Sequence, residues 1–383
     1  MVEEAPDGRR RFLFISNGHG EDWIASAIVA RLDKSIEVEA YPMIGAGNAY
    51  TGVCPIVGPR ATLASEGWRN VKGSLQRDLA TGGLRTVPPA LRFLRSIRDK
   101  YERIVVVGDV TGVLAAYATG LRDLIYLDVY KTGAARLYSS AERFIIKRAC
   151  RTVFSRADSL AQKLREVGVD ARSAGNVMMD AIPHGGYDAA QRRSRPLAVT
   201  LLPGSRALTA ESFELQIDAL RTLPPDTRPD VFLAVAGGIN IDELARKTGL
   251  RRTHMLSAEP DDLGELSDGT LSVHMARGGA MGNLLEASDL VLSQAGTATV
   301  QALGLGRPAI TFVNPRDRRS RFTDEQKLFG AARTVVPADA AAIGAALQHL
   351  LENDEERRRL ANLGRQRIGG PGAMEAIVEA LEA

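Results

Sequence analysis

The chain has 383 residues, 45% hydrophobic and 25% charged, which is ordinary globular usage and longer than one hydrophobic core serves, so two domains are expected. Its 37 Gly and 17 Pro are scattered without a period, which excludes collagen-like and low-complexity chains. The net charge of +3 is uneven, with 26 Lys and Arg against 21 Asp and Glu over residues 1–190 and 23 against 25 beyond.

In chain order, Met1–Asp7 is acidic where a signal peptide would be basic. The first strand is expected at Arg11–Ser16, followed by a helix over Trp23–Leu32 with Ile24, Ala27, Ile28 and Leu32 on one face. A strand at Glu37–Tyr41 comes next, then a basic stretch over residues 60–103 with ten cationic and four acidic groups. Within it, Leu91, Leu94 and Ile97 are expected to form an apolar stripe beside Arg92, Arg95 and Arg98, as in a helix lying at a membrane surface. Strands follow at Ile104–Val107, Leu124–Leu127 and Thr152–Ser155, with helices at Ala141–Cys150 and Ala157–Val167. Residues 131–165 form a second basic stretch, nine against two. Such stretches are either solvated helix faces or the footprint of an anionic partner.

Residues 183–196 are polar, aperiodic and bounded by Pro, which predicts a linker. A second series of strands follows at Leu197–Leu202, Val231–Ala236, Leu290–Ser293 and Ala309–Val313, with helices at Ala210–Leu220 and Thr299–Leu305. Strand–helix alternation on both sides of a linker predicts α/β architecture with two doubly wound, Rossmann-like parallel sheets facing a central cleft. The domains are expected at 1–182 and 197–366, with a C-terminal helix at 367–383 returning to the first. Cys54 and Cys150 are too few for a disulfide framework and too isolated for zinc, and no apolar run reaches the roughly 18 residues of a membrane span. A cytoplasmic protein is expected.

Four strand-to-helix turns carry the candidate chemistry. The first, Asn17-Gly18-His19-Gly20-Glu21-Asp22, brings backbone close to a ligand. It is not the dinucleotide fingerprint, because Trp23 stands where the third Gly belongs, and Gly45-Ala46-Gly47 meets Tyr50 in the same way. Asn17, Gly18 and Gly20 are expected in an acceptor loop. His19 and Asp22 are candidate general bases there, although Asp22 also suits a helix cap. The second turn places Asp109 after Gly108 at a strand tip, as a general base on an acceptor hydroxyl or as a turn-forming Asp. The third, Pro203-Gly204-Ser205-Arg206, offers a guanidinium to phosphate but lacks the Lys and spacing of a P-loop. The fourth, Gln294-Ala295-Gly296-Thr297-Ala298, opens a helix whose N-terminus suits a diphosphate. Gln301 on that helix is a candidate for ribose, and Met281 is counted with the same donor set.

Leu201–Arg206, Ser293–Thr299 and Gly175-Asn176-Val177-Met178-Met179-Asp180 together resemble lipid A disaccharide synthase and the proteins related to it. The likeness spans nearly the whole chain and extends weakly to the transferase that adds N-acetylglucosamine to lipid I. It implies a GT-B fold and a metal-independent, inverting glycosyltransferase without a cofactor. The implied donor is a UDP-sugar on the C-terminal domain. The implied acceptor is a lipid reached from the inner face of the cell membrane, where the protein is expected as a peripheral component. It also implies important roles for Asp22, Asp109 and Arg206. The first loop and Gln301, where the family has Glu, depart from the pattern. A UDP-sugar 2-epimerase and a non-catalytic sugar-nucleotide-binding protein share the same turns and remain alternatives. Nucleic acid is not expected as a partner, because the basic stretches lack interleaved aromatic side chains.

Overall fold

The computed structural model describes residues 9–61, 83–204, 208–253, 258–313 and 319–383. These form two compact units, one made of the chain up to Ala181 with Pro371–Ala383 and the other of Ile182–Gly370.

In the first unit β1 (Arg11–Ser16), β2 (Glu37–Pro42), β3 (Arg103–Gly108), β4 (Leu124–Asp128), β5 (Cys150–Ser155) and β6 (Asp170–Arg172) form a parallel sheet in the order β2-β1-β3-β4-β5-β6. The helices are α1 (His19–Val29), α2 (Val87–Ser96), α3 (Val110–Ala118), α4 (Ser140–Ala149), α5 (Asp158–Arg165) and the short α6 (Val177–Asp180). Side chains alternate across the strands and both faces are covered. Phe12, Phe14, Val105, Val107, Ile125 and Leu127 meet α1 and the C-terminal helix Ala373–Glu382. Leu13, Ile15, Ile104, Val106, Leu124 and Tyr126 meet α2 to α5. This is why the strands read as continuous apolar runs rather than as alternation. Asp180 fastens the C-terminal helix, accepting from the backbone N–H of Gly372 at 2.7 Å and of Met374 at 3.0 Å.

The stripe expected to meet a membrane is turned the other way. Leu94 and Ile97 are 0% and 2% exposed, in the core with Tyr41, Tyr101 and Ile104, while Arg92, Arg95 and Arg98 face outward. An amphipathic period records only that a face is covered, not what covers it. Leu94→Ala is therefore expected to destabilise the first unit by about 2–5 kcal/mol in urea unfolding, as for other buried Leu truncations. A loss under about 0.5 kcal/mol would contradict this packing.

In the second unit β7 (Ala198–Leu202), β8 (Asp230–Val235), β9 (Arg251–Thr253), β10 (Asp262–Ser267), β11 (Ser272–Arg277), β12 (Leu290–Ser293), β13 (Ala309–Phe312) and β14 (Arg333–Val336) lie in the order β14-β13-β12-β7-β8-β11-β10-β9. The helices are α7 (Thr209–Arg221), α8 (Ile241–Thr248), α9 (Met281–Glu286), α10 (Thr297–Gly304), α11 (Arg319–Phe329), α12 (Ala340–Glu352) and α13 (Asp354–Ile368). The sheet is not wholly parallel as expected, because β10 pairs antiparallel with both β11 and β9. Its connection to β11 is a tight turn, with Asp268 accepting from Thr270 and Leu271 N–H and Gly269 at φ 88°. A turn that short permits only an antiparallel pair.

Residues 183–196, expected as a linker, are folded onto the second unit. Gly186 N–H donates to Asp261 at 2.7 Å, Ser194 and Arg195 N–H both donate to Asp230, and Tyr187 and Ala189 are buried. The polar groups that suggested solvent are met by carboxylates distant in sequence. The boundary expected at residue 366 falls inside α13, which belongs to the second unit.

Candidate functional site

In a doubly wound sheet the crevice opens at the strand carboxyl ends where the order reverses. In the first unit that point lies between β1 and β3. Asn17 follows β1, Asp109 follows β3, and the Asn17 amide donates to Asp109 Oδ1 at 2.8 Å. Asp109 also caps α3, its Oδ1 accepting from Thr111 N–H at 2.8 Å. Both expected roles are thus combined on one oxygen, and among the described residues no hydrogen bond reaches Oδ2. Gly108 permits the close approach, since a Cβ there would meet Asn17 Cβ at 3.3 Å and Glu21 Cγ at 3.4 Å.

Asp22 is placed differently from what its position in the loop suggested. It is 1% exposed and accepts from Ser16 Oγ at 2.6 Å, and Ser16 Oγ lies 2.7 Å from the Tyr50 hydroxyl. The helix begins at His19, so Asp22 falls on its buried face with Ala25 and Val29 rather than at its cap. The partly exposed Glu21 instead leans over Gly18 and Gly108 and shares the mouth with Asp109. Gly18 and Gly20 lie in this turn, and Gly20 is exposed. The backbone of His19 opens α1, and its side chain lies outside the described residues.

Further along the same edge, Asp128 ends β4 and is buried with both oxygens engaged. Oδ1 accepts from Tyr130 N–H at 3.0 Å and Lys131 N–H at 2.9 Å, and Oδ2 accepts from the Tyr138 hydroxyl. Burial raises its carboxyl above the ordinary range, while these donors pull it back. Nothing in the sequence singled this residue out for a role, because its donors are Tyr130, Lys131 and Tyr138 of the loop that follows β4.

In the second unit the order reverses between β7 and β12, and both diphosphate-suited turns lie there. They meet, Gln294 N–H donating to Leu202 O at 2.8 Å. Gly204 stands at φ 98°, a conformation for which glycine is suited. Ser205 and Arg206 lie outside the described residues. Hydroxyls brace the second turn: Ser293 Oγ is 2.6 Å from Thr299 Oγ1 and accepts from Ala295 N–H at 3.2 Å. Gly296 precedes α10 without any side-chain cap, Thr297 is exposed, and Gly296 and Ala298 are partly so. Helix N–H groups left in this way suit an anion.

Two expected donor contacts are corrected. The Gln294 side chain donates to Thr311 Oγ1 at 3.1 Å and Phe312 O at 3.0 Å, fastening the turn to β13 instead of facing a ligand. Gln301 is 3% exposed, beneath the helix surface rather than on it. Met281 opens α9 after β11, two strands from β7 along the same edge. Among the described residues no three His, Cys, Asp or Glu side chains gather as metal ligands, and no helix is long and apolar enough to cross a membrane.

No protein-family model and no curated protein sequence matches the chain. Solved structures do. UDP-GlcNAc 2-epimerase from Neisseria meningitidis, solved bound to UDP-GlcNAc, is 13% identical, with 97% of this chain and 99% of that one covered at a TM-score of 0.58. MurG from Acinetobacter baumannii is 14% identical over 97% and 99% at a TM-score of 0.57. The glycosyltransferase SnogD from Streptomyces nogalater is 18% identical over 98% and 99% at a TM-score of 0.53. The chain has the GT-B fold, two Rossmann-like α/β domains, as these proteins do. The narrower likeness to lipid A disaccharide synthase rests on the sequence motifs alone.

Proposed function

We propose that the protein is an inverting GT-B glycosyltransferase that moves a sugar from a UDP-sugar to a hydroxyl of a lipid acceptor. The observation that carries this reading is Asp109, held at the switch point of the first sheet with Oδ1 bonded and Oδ2 open. As the acceptor oxygen attacks the anomeric carbon, Oδ2 takes its proton, and the bond from that carbon to the diphosphate breaks. The N-terminus of α10 and Arg206 balance the charge that gathers on the leaving UDP. Asn17 and Thr111 hold the carboxylate in one orientation through the step. Asp22, shut inside the unit, acts through Ser16 as a positioning residue.

A second reading, a UDP-sugar 2-epimerase, is favoured by the likeness to the N. meningitidis enzyme. Epimerisation removes a proton from one face of a carbon and returns it to the other, which suits two exposed ionisable groups. Asp128 is sealed by Tyr138 and backbone N–H groups, but Glu21 and Asp109 at the mouth supply such a pair, so the two readings are separated by whether turnover needs an acceptor.

The test is release of UDP from a panel of UDP-sugars, in EDTA, with and without a bacterial lipid extract. Release that depends on lipid, with a new glycolipid seen by mass spectrometry, is the expected result. Conversion of the UDP-sugar to its 2-epimer without lipid, whether or not UDP is released, would establish the epimerase instead, and a requirement for added metal would contradict the metal-independent mechanism. Peripheral attachment to the membrane belongs to the same proposal. With Leu94 and Ile97 in the core it rests on cations such as Arg92 and Arg95, each worth about 1 kcal/mol near an anionic surface. Pelleting with anionic vesicles that weakens as salt rises tests it.

A further inference from the structure

One strand along from β3, a buried hydroxyl reaches the turn that carries Asp109. Tyr126 lies in the middle of β4 and is 0% exposed, in the core with Val106, Val113, Ile146 and Val153. Packing in such a core asks only for the ring, and a buried hydroxyl is costly unless it is bonded. Among the described residues its hydrogen bond is to Gly108 O, at 3.3 Å.

That oxygen is the carbonyl immediately before Asp109. It also accepts from Val129 N–H at 3.3 Å, so two donors from the β4 side share it, each at a long distance. In the register Val106 faces Tyr126 and Gly108 faces Asp128, and the hydroxyl reaches diagonally, as an aromatic side chain can. The Gly108–Asp109 peptide is planar, so a hold on its oxygen is also a hold on the Asp109 nitrogen. Gly108 stands at φ 140°, a conformation that glycine adopts without restraint from a side chain. A Cβ there would crowd Asn17 and Glu21, so a stiffer residue does not fit, and the turn depends on its hydrogen bonds. Asn17 and Thr111 hold Asp109 at Oδ1, while Tyr126 and Val129 hold the backbone before it. Burial, and then Asp128, Tyr138 and Asp109, keep the Tyr126 hydroxyl well above its ordinary range. It therefore stays a donor wherever Asp109 is ionised.

We infer, resting on the reading of Asp109 as the base, that Tyr126 is its positioning residue. The hydroxyl fixes the Gly108–Asp109 peptide and with it the direction in which Oδ2 opens.

Two measurements on the full chain test this. The first needs no substrate: amide hydrogen exchange at Thr111, whose N–H donates to Asp109 Oδ1, is followed by NMR. Exchange tenfold or more faster than in the wild type is expected in Tyr126→Phe. Tyr101→Phe is the control, since it removes another buried side chain's hydroxyl, bonded to Glu39 before the opposite end of β3. Unchanged exchange at Thr111 in Tyr126→Phe, or an equal rise in Tyr101→Phe, would overturn the inference. The second is UDP release from a UDP-sugar with the lipid extract. Tyr126→Phe should lower kcat about tenfold, leave KM for the UDP-sugar within twofold, and have no further effect in an Asp109→Asn background. An equal loss in both backgrounds would make the hydroxyl structural only and overturn positioning. Wild-type turnover in Asp109→Asn would instead defeat the base assignment, and the exchange at Thr111 is read independently of it. Should Tyr126→Phe fail to fold by circular dichroism, 4-fluorophenylalanine at position 126 keeps the ring without the donor and carries the same tests.

Discussion

Asp109→Asn is expected to lower turnover by about 10²–10⁴-fold, the contribution of one positioned general base, and to leave UDP binding within twofold. The substitution is informative because Asn keeps an oxygen where Oδ1 now accepts from Asn17 and Thr111. It also remains a good helix cap, so α3 and the turn before it persist. What is lost is the basicity of the open oxygen. Asp22→Asn should behave differently: the buried bond from Ser16 weakens, and the effect falls on thermal stability and modestly on turnover. If Asp109→Asn turns over like the wild type, proton removal belongs to another group. Glu21 and His19, on the loop across from it, would be substituted next.

The contrast between Asp22 and Glu21 shows where the sequence stopped being informative. Strands β1 to β5, β7, β8, β12 and β13 were legible to within two residues, because they are buried and so rich in Val, Ile and Leu. The short edge strands β6 and β14 were not expected. The start of α1 was not. Two glycines before Trp23 argue against helix, yet the chain is helical from His19, and that offset of one turn rotates Asp22 from the mouth to the interior. A difference of about 100° per residue decides which carboxylate meets solvent, and propensity does not resolve it. The β9–β10–β11 edge was missed for a related reason: its residues are mostly polar and half-exposed, so no buried run marks them. The two donor turns were legible because each is a local strand–Gly–helix signal, and sheet order alone then brings them together.

That convergence fixes the second large effect. Replacing Arg206 by Ala is expected to weaken UDP binding by about 1.5–3 kcal/mol, roughly 10- to 100-fold, the scale of a hydrogen bond to a charged group. A UDP diphosphate brings negative charge to the N-terminus of α10, which offers about half an elementary positive charge and uncapped N–H groups. Half a charge does not neutralise a diphosphate. Arg206 follows Gly204 by two positions in the sequence, and the end of β7 just before Gly204 is bonded to the second turn through Gln294 N–H and Leu202 O. No other Lys or Arg belongs to either turn as the sequence defines it. Gln294→Ala gives the needed contrast. Its amide is committed to Thr311 and Phe312, so truncation should lower the melting temperature, with UDP affinity following only as far as the turn loosens. Calorimetric titration of UDP into both variants separates the two roles. Wild-type affinity in Arg206→Ala would mean that the diphosphate is held by backbone N–H groups alone, or that it does not bind at these turns. In the latter case Thr297→Pro, which fixes the helix start without adding charge, would leave UDP affinity unchanged as well.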